Sequence, residues 1–274
     1  MALVQFGIPS ISKHIAYTLS PEVSAQLADT SLEQLDEFYF SRTELPAERR
    51  AEINQLFLSS LPSTDLPRHD YQLHFRKGDA IGPNAFALPN GSIIITDELI
   101  DLAKDDLEIL SILYHEIGHV HYRHSLRQII QSAGVLGVSV WLTGNIDSLF
   151  DWTAAVPAFF MQRKYSRDME AEADDYSLDK MQEHGLDPMH FVNIMTRMQA
   201  YNPIAEPSSQ DEHEEPATKE ETASTETSSH EAPDSHGDTK TSRFLNLLSS
   251  HPNTEERMAK FRLAAAKEAQ PHTN

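Results

Sequence analysis

Ser111-Ile112-Leu113-Tyr114-His115-Glu116-Ile117-Gly118-His119-Val120 is the stretch on which the reading of this chain turns. On a helix, His115 and His119 stand one turn apart on the same face with Glu116 beside them. Two imidazoles at i and i+4 on a stiff element reach a tetrahedral ion, about 2.0–2.1 Å from each nitrogen, at little further ordering cost. The spacing therefore points to a catalytic metal site. The bland alternative is a helix whose histidines are solvated or satisfied by neighbours, and a shuffled chain of this composition would contain the pentapeptide roughly 0.06 times, so the surroundings must decide.

Asp105 and Glu108 form a capping-box pattern, and Leu107, Leu110, Leu113 and Ile117 follow at helical spacing, which predicts a helix from about Asp106 to Gln131. Downstream, Ser166 caps a helix opening Arg167-Asp168-Met169-Glu170-Ala171-Glu172-Ala173-Asp174, on which Glu170 and Asp174 share a face. A hydrolytic zinc site needs a third protein ligand, an open fourth position, and a further carboxylate to fix a ligand imidazole. Glu170 and Asp174 are the candidates for those two roles. His121 and His124, two and five residues beyond His119, would point away from the ion on a continuous helix and are read as structural.

The motif His115-Glu116-Ile117-Gly118-His119, then Arg123-His124-Ser125, Glu170-Ala171-Glu172-Ala173-Asp174, and Ser250-His251-Pro252 with Arg257 follow an order that resembles one metallopeptidase family. It is the gluzincin family of the HtpX heat-shock proteases, the CAAX prenyl proteases and the BepA-type envelope proteases. Asn84-Ala85-Phe86-Ala87-Leu88-Pro89-Asn90-Gly91 is similar to that family's strand segment, with Asn90 where the family more often has glycine. The resemblance runs from about residue 20 to 265. It implies an α+β, mostly helical, zincin-like metalloprotease domain with a small β-sheet, an edge hairpin, beside the HExxH helix.

The same resemblance implies one Zn²⁺ per chain, held by His115, His119 and Glu170, with Glu116 as general base and Asp174 orienting a ligand imidazole. His251 resembles the family histidine that approaches the metal; it either binds the substrate carbonyl oxygen or occupies the fourth zinc position and keeps the enzyme latent. A polypeptide substrate and a cell-envelope setting, periplasmic or membrane-associated, are implied in the same way, with a cytoplasmic setting as the alternative. Arg257 and Arg167 are read as structural supports.

A formal charge of −20 argues against nucleic acid, whose phosphates would be repelled. Residues 206–242 concentrate 11 acids against Lys219 and Lys240, leaving the rest mildly acidic. The absence of cysteine excludes a thiolate nucleophile, thiolate zinc ligands and a disulfide framework. With 39% apolar residues in 274, one substantial core is expected. No twenty-residue apolar span occurs, and Met1 to Pro9 lacks the pattern of a signal peptide. By resemblance, Ala2 to Phe6 reads as the stub of a membrane anchor, giving the possible membrane proximity. The domain plan is a lead-in at 1–19, a peptidase domain at 20–202 and 243–270, and an acidic disordered insertion at 203–242. That insertion is either a tolerated loop or a mobile lid whose His213, His230 and His236 scavenge zinc.

In chain order, Ser20-Pro21 starts a helix with Val23, Leu27, Leu32 and Leu35 at apolar spacing, and Pro46 starts another toward Leu58. Tyr71, Leu73 and Phe75 alternate with polar residues as in a strand, and Pro89-Asn90-Gly91 between two apolar runs predicts a β-hairpin. Within it Ile93, Ile94 and Ile95 are the candidate substrate-binding strand, pairing with extended peptide at a sheet edge, against an ordinary core strand as the equal alternative. Thr96-Asp97 caps a short helix to Ala103, and the apolar run 129–161 suggests a helical hairpin that covers the cleft, with dipping into a membrane surface as the alternative. Gly185 ends the helix begun at Ser166, Asp187-Pro188 opens one toward Ala200, and Asn253 with Glu256 caps a last one to about Ala269. The leading function is a zinc endopeptidase in quality control of misfolded or envelope proteins. A chaperone-like assembly factor with a latent site and a non-proteolytic zinc-binding protein are the alternatives.

Overall fold

The structure is a computed structural model and describes residues 7–61, 71–143, 165–201, 251 and 255–269. Two helices come first: α1, Ile8–Thr18, and α2, Pro21–Phe38, the latter with Pro21 in its first turn, where a missing N–H costs nothing. The region expected only as a lead-in thus contributes a helix, and α1 packs on the later helix His124–Thr143. The short strand β1, Ser41–Arg42, and helix α3, Ala47–Ser60, follow, with Pro46 at the N-cap of α3.

Strands β2 (Leu73–Lys77), β3 (Ala85–Ala87) and β4 (Ile93–Thr96) complete a mixed sheet of order β1-β2-β4-β3, in which β2 and β4 are parallel and the other pairs antiparallel. The β3–β4 hairpin forms as the turn signal predicts: Gly91 donates its N–H to the Leu88 carbonyl at a φ of 106°, a conformation that glycine adopts without strain.

The assignment of Ile93, Ile94 and Ile95 to substrate is corrected by this topology. β4 lies between β2 and β3, so its backbone is hydrogen-bonded on both sides and offers no edge. Its side chains are buried on both faces as well. Ile93 and Ile95 join the main core with Phe57, Leu113 and Phe191, while Ile94 joins a second cluster with Ala28, Leu35, Phe40 and Phe86 under α2. An unbroken apolar triplet is the signature of such a doubly covered strand, and full burial stabilises each isoleucine by about 1.5–3 kcal/mol. The outer strand beside the motif helix is β3.

Thr96 caps α4, Asp97–Leu102, by accepting the Leu99 N–H. The motif helix α5, Asp106–His121, starts on Asp105, which accepts from the Glu108 N–H, while the Glu108 carboxylate accepts from the Lys104 N–H. The helix does not run on to Gln131. It stops at Tyr122, Arg123 takes a left-handed φ of 55°, and α6, His124–Thr143, begins in a new direction. The break is held from outside: the Arg123 guanidinium donates to the Ala16 carbonyl at 2.8 Å, capping the C-terminal turn of α1.

Ser166 caps α7, Arg167–Glu183, which ends in a Schellman turn with Gly185 at a φ of 67°. α8, Met189–Ala200, and α9, Glu255–Glu268, close the bundle, with Phe191 stacked on Phe261 at 4.1 Å between ring centres. The architecture is therefore mostly helical α+β with a small sheet, as expected. No helix among the described residues is long and apolar enough to cross a membrane. The second half of the predicted 129–161 hairpin, the 203–242 insertion, the Ala2–Phe6 stub and the Asn253 cap lie outside the described residues.

Candidate metal centre

The site is built where α5 crosses α7. Gly118 makes the crossing possible: a Cβ there would stand 3.0 Å from the Ala173 Cα and 3.1 Å from the Ala173 carbonyl oxygen. With the backbones this close, His115 and His119 on α5 meet Glu170 and Asp174 on α7. His251 reaches the same point from the segment preceding α9. One ligand-type atom from each of His115, His119, Glu170 and His251 lies within 4.8 Å of the others.

His115 Nε2 is 3.0 Å from His119 Nε2 and 3.5 Å from Glu170 Oε2, and His119 Nε2 is 3.7 Å from Glu170 Oε1. Ligand atoms around a tetrahedral zinc stand roughly 3.3 Å apart, so the donor set fits one such ion. Two imidazoles and a carboxylate are also the donors that chemistry selects. The group is buried, with His119 at 0% exposure. Glu116, at 1%, leaves its Oε2 buried without a hydrogen-bond partner among the described residues.

Around these atoms lies a charged shell. Asp174 Oδ1 is 3.0 Å from His115 Nδ1, which favours a proton on that nitrogen and a bare Nε2. Arg257, itself buried, donates to both oxygens of Asp174 at 2.7 and 2.8 Å and contacts Glu170 Oε2 at 2.7 Å. Arg257 thus braces both carboxylates from a position that belongs to the quoted family motif. Arg167, by contrast, is exposed on the first turn of α7.

Electrostatics follow from this arrangement. Burial pushes His119 well below the usual imidazole range, helped by neighbouring His115. Burial acts against Glu170 ionisation but is outweighed by His251, His115 and Arg257, which hold the carboxyl well below its ordinary range. His251 is pushed up to about 10, because Glu116 and Glu170 together overcome the burial that would lower it. Its Nε2 is 3.2 Å from Glu116 Oε1 and its Nδ1 is 3.0 Å from Glu170 Oε1.

Two neighbours were not legible beforehand. Tyr165 stacks on His119 with ring centres 4.0 Å apart, and its hydroxyl is 3.0 Å from Ser125 Oγ, which donates to the Ala87 carbonyl on β3. His124, read as pointing away, has its Nδ1 2.8 Å from His119 Nδ1, because the break at Arg123 swings it back. His121 packs against Tyr122 and Tyr176, as a structural residue would.

The model of Peptidase family M48 matches residues 47–265. Among curated proteins, the chain is 32% identical to metalloprotease YcaL of Escherichia coli (strain K12) over 113 residues, covering 40% of this chain and 44% of that protein. It is 31% identical to mitochondrial metalloendopeptidase OMA1 of Arabidopsis thaliana over 105 residues, 38% of this chain and 21% of that one. Metalloprotease LoiP of Escherichia coli (strain K12) matches at 25% over 209 residues, 75% of this chain and 80% of LoiP. The chain thus spans less than half the length of the first two relatives.

Proposed function

This chain belongs to peptidase family M48, and from that premise we propose that it is a zinc-dependent endopeptidase whose ion is held by His115, His119 and Glu170. The observation that carries the reading is the buried convergence of these ligand atoms within 4.8 Å, beside a carboxylate with an uncommitted oxygen. Zinc in such a site supplies Lewis acidity to the scissile carbonyl and lowers the pKa of water toward about 7.

The chain's own residues do the rest. Glu116 takes the proton from the attacking water on its free oxygen and delivers it to the departing amine. Asp174 keeps the His115 proton on Nδ1, and Arg257 holds Asp174 and Glu170 in place. An extended substrate backbone runs along β3, Ala85–Ala87, the outer strand next to α5. His251, lying against both Glu116 and Glu170, competes with substrate and water for that corner and keeps the site latent.

The substrate class we infer is unfolded polypeptide, in quality control near a membrane. The name metalloendopeptidase carried by one relative and metalloprotease by two others support cleavage within chains. The test is turnover of casein with and without a chelator. Chelator-sensitive cleavage is expected, and equal cleavage by a variant lacking His115 and His119 would assign the activity elsewhere.

A further inference from the structure

Behind the site, a second row of side chains meets the other ring nitrogen of His119. His119 Nδ1 is 2.8 Å from His124 Nδ1, His124 Nε2 is 2.8 Å from Glu172 Oε2, and Arg127 Nη1 donates to that same carboxylate oxygen at 2.7 Å. His119 and His124 are both fully buried. Glu172 comes from the turn of α7 between Glu170 and Asp174, so one helix supplies both the front and the back of the site.

We propose that Arg127, Glu172 and His124 form a positioning relay that fixes His119 in the tautomer with its proton on Nδ1, leaving Nε2 bare for a metal ion. The inference rests on the reading of His119 as a ligand, and follows from counting protons. The guanidinium of Arg127 is a permanent cation that donates and never accepts, so the Glu172 oxygen it meets accepts as a carboxylate. That leaves His124 Nε2 as the donor to Glu172. A buried neutral imidazole carries one proton, so His124 Nδ1 is bare and accepts. Only one proton fits between two ring nitrogens 2.8 Å apart, and it therefore belongs to His119 Nδ1. His119 Nε2 then presents its lone pair toward His115 and Glu170, where the opposite tautomer would place a proton.

The two ligand imidazoles are thus set by different devices: His115 directly by a carboxylate, Asp174, and His119 through an intervening ring. The intervening ring is available only because Arg123 breaks the helix, so α1, through its Ala16 carbonyl, helps to aim the relay.

The test is the long-range proton–nitrogen NMR spectrum of the metal-free protein with nitrogen-15-labelled histidine, joined to zinc titration of Glu172→Leu and Glu172→Gln. The wild type should show His119 protonated on Nδ1. Glu172→Leu, with no acceptor, should lose that preference and bind zinc about 10–100-fold more weakly, while Glu172→Gln, whose amide oxygen still accepts, should keep the tautomer and most of the affinity. The proton on His115 Nδ1, held by Asp174, should persist in both variants. His119 protonated on Nε2 in the wild type, or unchanged zinc affinity in Glu172→Leu, overturns the relay. Should Glu172→Leu fail to fold, the wild-type spectrum and Glu172→Gln decide alone. Failure of the ligand reading looks different: wild-type zinc binding that survives loss of His115 and His119 would end that reading, whereas the metal-free spectrum would still decide the relay.

Discussion

Gly118 on α5 faces Ala173 on α7 with so little room that a Cβ at 118 would meet the Ala173 backbone at 3.0 Å. This contact sets how far His119, the next residue, sits from Glu170, three residues before Ala173. Backbone cannot retreat as a flexible side chain would, so Gly118→Val should push the helices apart and cost about 1–3 kcal/mol. Thermal unfolding of the metal-free variant reads the packing cost, and zinc titration reads the wider ligand gap. Wild-type affinity in a destabilised variant would uncouple the crossing from the site.

Glu116→Gln keeps the size of the side chain and removes its basicity. Zinc content should be unchanged, and casein turnover should fall by about 10²–10⁴-fold, the usual contribution of a positioned acid–base group. Full activity in this variant would remove Glu116 as the proton carrier.

Arg257 is the cation between two buried carboxylates, Glu170 and Asp174. Arg257→Leu leaves Asp174 with His115 alone and Glu170 with His115 and His251, a loss of about 3–5 kcal/mol in the metal-free protein. Bound zinc restores positive charge beside Glu170, so the loss should shrink when zinc is present. Equal destabilisation with and without zinc would place the role of Arg257 outside the metal centre.

His251 contacts Glu116 and Glu170 from a segment outside the two ligand helices. His251→Ala should retain zinc and raise casein turnover, because the blocking ring is gone. A fall in turnover with zinc retained would instead assign His251 to the substrate carbonyl.

Removing metal should lower stability by mass action. Zinc at about 100 times its dissociation constant adds roughly 2.7 kcal/mol to a protein that binds it only when folded. Calorimetry with and without chelator should show this shift in the wild type. In His119→Ala it should be largely absent, and a shift of the same size there would locate the stabilising zinc elsewhere.

The parts of the site that were legible in the sequence are those governed by spacing within one helix. His115 and His119, and Glu170 and Asp174, are i and i+4 pairs on helices whose caps, Asp105 and Ser166, are both formed. What was not legible depends on contacts between elements. Ile93–Ile95 is an unbroken apolar run whether a strand is central or marginal, and only the pairing on both sides makes it central. No glycine or proline announces the end of α5; the left-handed turn at Arg123 comes with a side-chain contact to a carbonyl 107 residues earlier in the chain. The contact of His124 with the far ring nitrogen of His119 depends on that turn, so a continuous helix does not reveal it. Tyr165 reaches His119 across the fold from a site with no motif of its own.

Every role proposed at the site depends on the place of one ion. Anomalous diffraction recorded above and below the zinc edge, on crystals of the zinc-loaded protein, locates it without assumption. A single strong peak is expected about 2.0–2.2 Å from His115 Nε2, His119 Nε2 and a Glu170 oxygen. A peak at other side chains, or a peak beside the two imidazoles with Glu170 beyond bonding distance, would contradict that assignment.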